Sequence, residues 1–160
     1  MSDAEPMIVL ENVYKIFGPN PRGRAFDLCS SGVSKDEVQR QTGHVVGMRD
    51  ISFDVRRGEI FVVMGLSGSG KSTAIRTVNK LHAVTHGRVL VDGIDVQQLR
   101  GADLQSFRRE KTAMVFQHFA LFPHRNVIDN TAYGLKVQGV DKKERHEAAI
   151  EALAMVGLEA

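Results

Sequence analysis

Nine consecutive residues carry most of the chemistry legible in this chain. Gly65-Leu66-Ser67-Gly68-Ser69-Gly70-Lys71-Ser72-Thr73 fits the pattern G-x-x-x-x-G-K-[ST]. This composition suits a polyphosphate. Backbone N–H groups must close around the phosphate oxygens, and side chains at Gly65, Gly68 or Gly70 would block that approach or forbid the dihedrals it needs. A helix starting near Lys71 would aim its unpaired N–H groups, worth about half a positive charge, at the same anions. Lys71 adds a full charge for the β- and γ-phosphates, and the Ser72 hydroxyl can ligate magnesium. A glycine-rich turn that binds nothing is the plain alternative. An apolar run before the loop and a helix pattern after it argue for the phosphate site. The motif alone does not separate a transport ATPase from a small-molecule kinase or a GTPase.

The elements that must position this loop follow from periodicity and turn chemistry. Met7–Phe17 reads as a strand in which Ile8, Leu10, Val13 and Ile16 alternate loosely. Gly18–Gly43 interrupts the pattern, opening with Gly-Pro-Asn-Pro and closing with a short helix. Ser34 and Glu37 form that helix's capping box and Gly43 ends it. Val45–Val55 returns to strand. Ile60–Met64 is short and wholly apolar, which predicts a parallel strand buried on both faces. A helix over Lys71–Leu81, a strand over Arg88–Val91 and a helix over Ala102–Arg109 follow. Thr112–Phe116 reads as a further buried strand, Gln117–Arg125 as a loop and Asn126–Val137 as a helix. The last helix spans Lys142–Val156, capped by Asp141 with Glu144 and stopped at Gly157.

Composition bounds the function. The 160 residues have room for one domain, and 42% hydrophobic with 25% charged residues is ordinary for a globular chain. A net charge of +2, without an arginine- and aromatic-rich stretch, argues against a nucleic-acid partner. One cysteine, Cys29, cannot close an internal disulfide, which fits a reducing compartment. The longest apolar run, about 60–66, falls far short of the roughly 20 residues that span a bilayer. Met1–Pro6 has acids and no basic segment, unlike a secretory signal. Any link to a membrane is therefore expected through another protein.

Beyond the phosphate loop, Gly87-Arg88-Val89-Leu90-Val91-Asp92-Gly93 and Met114-Val115-Phe116-Gln117 resemble the ABC ATPase family, and the likeness runs over nearly the whole chain. It implies an α/β fold: a P-loop NTPase (RecA-like) core with an N-terminal antiparallel β subdomain, incomplete at the C-terminus. It implies ATP and Mg²⁺ as cofactors, with Gly65, Leu66, Ser67, Gly68, Ser69, Gly70, Lys71, Ser72 and Thr73 on the phosphates and Ser72 on the metal. In that family the residue matching Gln117 contacts magnesium and the attacking water. Phe17 takes the place of the aromatic that stacks on adenine, with Tyr14 a weaker candidate. The segment His118–His124 with Asn126–Leu135 is similar to the importer-type surface that receives a permease. Within the family, the interval Gly18–Gly43, with Arg24-Ala25-Phe26 and Gly32-Val33-Ser34-Lys35, resembles an insertion of the ATP-binding subunits of glycine betaine/proline betaine importers. Met64–Lys71 and Val127–Gly134 point the same way. The implied partners are a transmembrane permease, met through about Gln117–Leu135, and a second copy of the subunit. A periplasmic or extracellular substrate-binding protein would act indirectly, with the subunit peripheral on the cytoplasmic face of a bacterial membrane.

Several family features are absent from the 160 residues. No Leu-Ser-Gly-Gly-Gln-like signature occurs, and no four apolar residues end in Asp-Glu. Val89-Leu90-Val91-Asp92 is not a substitute, because Gly93 follows and the family has a hairpin turn there. The switch histidine is also expected elsewhere. His82 and His86, at i and i+4, lack a third metal ligand and read as solvated. Residues 1–160 are thus expected to be the N-terminal part of an ABC-type nucleotide-binding domain that binds ATP without hydrolysing it. An open sheet edge predicts poor solubility and a weakly cooperative melt. The rival readings are a subunit of another ABC importer, or a P-loop kinase using Arg108 and Arg109 on a lid.

Overall fold

The loosely alternating residues near the N-terminus form β1 (Pro6–Phe17), the centre of a four-stranded antiparallel sheet ordered β2-β1-β3-β4. The computed structural model describes residues 6–117 and 121–158, which fall into two units, Met1–Gly101 and Ala102–Ala160. In the first unit β1 pairs antiparallel with β2 (Val45–Arg56) and with β3 (His86–Val91), and β4 (Ile94–Asp95) pairs with β3. Leu10, Val13, Ile16, Val46, Met48, Val89 and Val91 are buried between these strands and what covers them. Each such side chain contributes about 1.5–3 kcal/mol on burial. Asp92 and Gly93 both take positive φ, 51° and 74°, the signature of a tight two-residue hairpin. Val89–Asp92 is therefore a strand running into a turn.

The pairing of β1 with β2 shifts register at four places, the last of them between Lys15 and Ile16. Lys15 lies opposite Met48 while Ile16 lies opposite Val46, so Gly47 is the extra residue of a β-bulge.

The interval between β1 and β2 folds into two helices, α1 (Arg24–Ser30) and α2 (Lys35–Thr42). The expected caps of α2 are present. The Ser34 hydroxyl accepts from the Glu37 N–H, and Gly43, at φ 71°, donates its N–H to the Gln39 carbonyl. Only half of the capping box forms, because the Glu37 carboxylate accepts from Arg40 and Gln41 instead. Ala25, Cys29 and Val38 bury against Ile16 and Val46, with Tyr14, Phe26, Leu28 and Val33 around them. Helix α1 was not foreseen, although the i, i+4 pair Ala25 and Cys29 supplies its buried face. The two ends of the interval meet at His44, whose Nε2 faces the Pro19 carbonyl at 2.5 Å and whose Nδ1 faces the Thr42 carbonyl at 2.8 Å.

Two expected buried strands do not form. Ile60–Met64 is not a strand, and Ile60, Val62 and Met64 are 90%, 68% and 85% exposed. Thr112–Phe116 is likewise outside any sheet, with Val115 97% exposed. A parallel strand exists only through hydrogen-bonded neighbours. Among the described residues none ladders with either segment, so the apolar runs remain without the burial their composition suits.

Helix α3 (Lys71–Val78) follows the glycine-rich loop. It stops short of the expected Leu81 because Lys80 turns to φ 54°. Helix α4 (Gly101–Glu110), which lies in the second unit from Ala102 on, is followed by the segment 112–117. The expected single helix over Asn126–Val137 is split into α5 (Val127–Thr131) and α6 (Tyr133–Val137). Ala132, at φ −73° and ψ −4°, joins them, with the poor helix former Gly134 just beyond. Helix α7 (Lys142–Met155) is capped by Asp141, whose carboxylate accepts from the Lys143 N–H. No described helix is long and apolar enough to cross a membrane.

Candidate functional site

The loop 65–70 ends in a residue whose geometry starts α3. Gly70 caps the helix at φ 104°, ψ 3°, and provides no side-chain hydrogen bond. The Ala74 N–H is bonded to the Gly70 carbonyl at 2.9 Å. The N–H groups of Lys71, Ser72 and Thr73 therefore lie ahead of the helical ladder, aimed out of the N-terminus. A Cβ on Gly70 would stand 2.4 Å from the Gly47 carbonyl oxygen, so neither the dihedral nor the space admits a side chain. At Gly65, φ is 154° and a Cβ would meet Ser69 Oγ at 2.8 Å.

Lys71 reaches back over this loop. Its Nζ donates to the carbonyls of Gly65 at 2.8 Å and Leu66 at 2.7 Å. The Ser69 N–H closes a turn on the Leu66 carbonyl at 3.2 Å. The ammonium is thus held at the same loop from which the helix amides emerge. Ser72 is exposed on the first turn of α3. Beside the loop, Met48, Ile51, Phe53 and Phe61–Met64 line a cleft of about 380 Å³ that reaches Ser69, Gly70, Lys71 and Ala74. Phe61 stacks on Phe53 at 4.8 Å between ring centroids. Uncapped amides, a held ammonium and a hydroxyl form a donor set for a polyphosphate anion with its metal counter-ion.

Phe17, at the end of β1, stands next to this arrangement through a single residue. Its Cε2 lies 2.7 Å from where a Cβ of Gly47 would be, and the carbonyl of the same Gly47 bounds Gly70. The Lys15 ammonium sits 4.7 Å from the centre of the Phe17 ring, and His82 meets the ring edge-on at 5.3 Å. Burial, then the charges of Lys15 and Arg76, hold the His82 imidazole below its ordinary value. Burial also lowers Lys15. Tyr14, by contrast, stands edge-on to Phe26 at 5.2 Å and faces α1. His82 is half-buried and packs on Phe17, whereas His86 is exposed, as expected, with its ring against Tyr14 and Phe26. Sequence reading missed Gly47 and Lys15, and took His82 as solvated rather than packed on Phe17. A glycine inside a β-branched strand was the available signal for Gly47, since such residues mark bulges and close backbone approach.

Gln117, exposed at the end of the segment 112–117, belongs to the second unit. Of the adjoining segment, His118, Phe119 and Ala120 lie outside the described residues. Leu121 is 66% exposed and Val127 62%. Behind them Asn130 ties the turn together: its Oδ1 accepts from the Phe122 N–H, and its Nδ2 faces the carbonyls of Phe122, Arg125 and Asn126. The Arg125 guanidinium lies 4.7 Å over Phe122 and 4.6 Å over Tyr133. Arg109, considered for a kinase lid, contacts Ser106 and Glu110 on its own helix.

An ABC transporter family model matches residues 48–160, and the chain belongs to that family. The fold agrees: over 96% of this chain and 58% of the other, it superposes with a TM-score of 0.76 and 28% identity on the dimeric post-hydrolysis state of the ATP-binding cassette MJ0796 bound to ADP and Pi. Two relatives narrow the comparison. The chain is 50% identical over 150 residues, 94% of its length, to the glycine betaine/proline betaine transport system ATP-binding protein ProV of Escherichia coli strain K12. It is 48% identical over 98% of its length to the glycine betaine transport ATP-binding protein OpuAA of Bacillus subtilis strain 168. It spans 37% and 38% of the lengths of these curated relatives.

Proposed function

We propose that this chain supplies the ATP-binding part of an importer subunit that energises uptake of glycine betaine, proline betaine or a related quaternary amine. The observation that carries the nucleotide assignment is the uncapped start of α3 with the Lys71 ammonium folded over the same loop. In this reading the amides of Gly65–Thr73 and Lys71 hold the phosphates. Ser72 would ligate Mg²⁺ and Phe17 would stack on adenine, and the likeness to the family extends a metal role to Gln117. Bound Mg²⁺ would help neutralise the phosphates, which Lys71 and the loop amides would hold and orient.

The transported solute is argued from likeness to ProV and OpuAA, which extends through the α1–α2 interval. We read that interval as the insertion of the betaine branch. The surface around Leu121–Leu135 would receive a permease, and a second copy of the subunit would complete the nucleotide sandwich. A substrate-binding protein would act indirectly, and the subunit would sit on the cytoplasmic face of the membrane.

The test is transport. The full-length protein containing this chain, expressed with its permease in a bacterium lacking betaine uptake, restores accumulation of labelled glycine betaine under osmotic stress. Restored uptake of methionine but not of betaine would assign the chain to a different importer.

A further inference from the structure

We propose that Gly47 is the spacer that sets where the Phe17 ring stands relative to the phosphate loop, and so fixes the reach between a stacked base and its phosphates. This rests on the reading that Phe17 stacks on adenine. Three observations meet at this residue. It is the extra residue of the β1–β2 bulge, a feature that re-aims the backbone locally. A Cβ built on it would lie 2.7 Å from Phe17 Cε2 and 3.4 Å from Cδ2. Its carbonyl oxygen is 2.4 Å from the Cβ position of Gly70, the residue that starts α3. One side-chain-free residue thus touches the aromatic on one side and the phosphate turn on the other.

The ring has little room to yield. Lys15 Nζ and the His82 ring already stand against it. An alanine methyl at position 47 would push Phe17 out of place or force those neighbours to move. The nearest atoms that methyl would meet are Phe17 and the Lys15 carbonyl, not the phosphate loop. Phosphate binding should therefore survive a substitution that spoils base binding. Gly47 is a positioning residue acting through Phe17.

Competition titrations of the full 160-residue chain with MgATP and with magnesium tripolyphosphate test this, using wild type, Phe17→Ala, Gly47→Ala and the double variant. Base stacking on an aromatic is worth about 1–3 kcal/mol, so Phe17→Ala should weaken MgATP roughly 5- to 150-fold. Gly47→Ala should weaken it about fivefold or more, with tripolyphosphate within about twofold of wild type in both. The double variant should bind MgATP no more weakly than Phe17→Ala, because the spacer matters only while the ring is present. Wild-type MgATP affinity in Gly47→Ala, beside a weakened Phe17→Ala, overturns the spacer role alone. Additive losses in the double variant do the same, as does equal loss of both ligands, which would mark Gly47 as a residue of the fold. An unchanged Phe17→Ala removes the stacking reading and the spacer with it.

Discussion

His82 shows how the surroundings of one ring become a pH dependence. Half-buried against Phe17 and near Lys15 and Arg76, it is held below the ordinary value of 6.5. The unfolded chain then binds a proton that the folded chain resists, in the window from about 6.5 down to the lowered folded value. Since the unfolded state carries more protons there, stability rises with pH and is lost on acidification through that window. The melting temperature of the chain should fall between pH 7.5 and 5.5, and His82→Phe, which keeps a ring against Phe17, should flatten that fall. Equal slopes in both proteins would show that His82 does not carry it. At this scale the phosphate loop was readable because its chemistry is local: nine adjacent residues fold onto themselves and α3. Gly47 was not, because its role depends on meeting both Phe17, which the pairing of β1 with β2 brings to it, and Gly70; His82 likewise meets Phe17 only through the fold.

Helix α2 shows how far element-level signals reach. Its start at Ser34 and its stop at Gly43 were both legible, because a cap is a contact between near neighbours in the chain. Removing the hydroxyl with Ser34→Ala should lower the unfolding free energy of the first unit by about 1 kcal/mol, read in urea titrations. No measurable change would mean that the burial of Val38 alone fixes the helix. The strands β1 and β2 were also legible from their composition. Ile60–Met64 and Thr112–Phe116 were not. Their apolar character says what they would bury, but whether a strand forms depends on a neighbour, and no described strand pairs with them. Helix α1 lacks a side-chain cap, starting at Gly23, and so left only the spacing of Ala25 and Cys29 as a signal. The split of Asn126–Val137 falls at Ala132, with the poor helix former Gly134 just beyond.

Across the whole molecule, two units carry different parts of the proposed machinery. The first holds the loop 65–70, α3 and Phe17, and the second holds Gln117 and the turn ordered by Asn130 and Arg125. Ile60, Val62, Met64 and Leu66 form an exposed apolar run leading into the phosphate loop. The family is established over residues 48–160, and the central claim is that the loop within that span captures a nucleotide's phosphates. Titration of a fluorescent ATP analogue with magnesium, on the chain and on Lys71→Ala, tests this most directly. Removing the ammonium held at Gly65 and Leu66 should weaken binding by at least tenfold, or about 1.4 kcal/mol. Undiminished affinity in the variant would contradict the account.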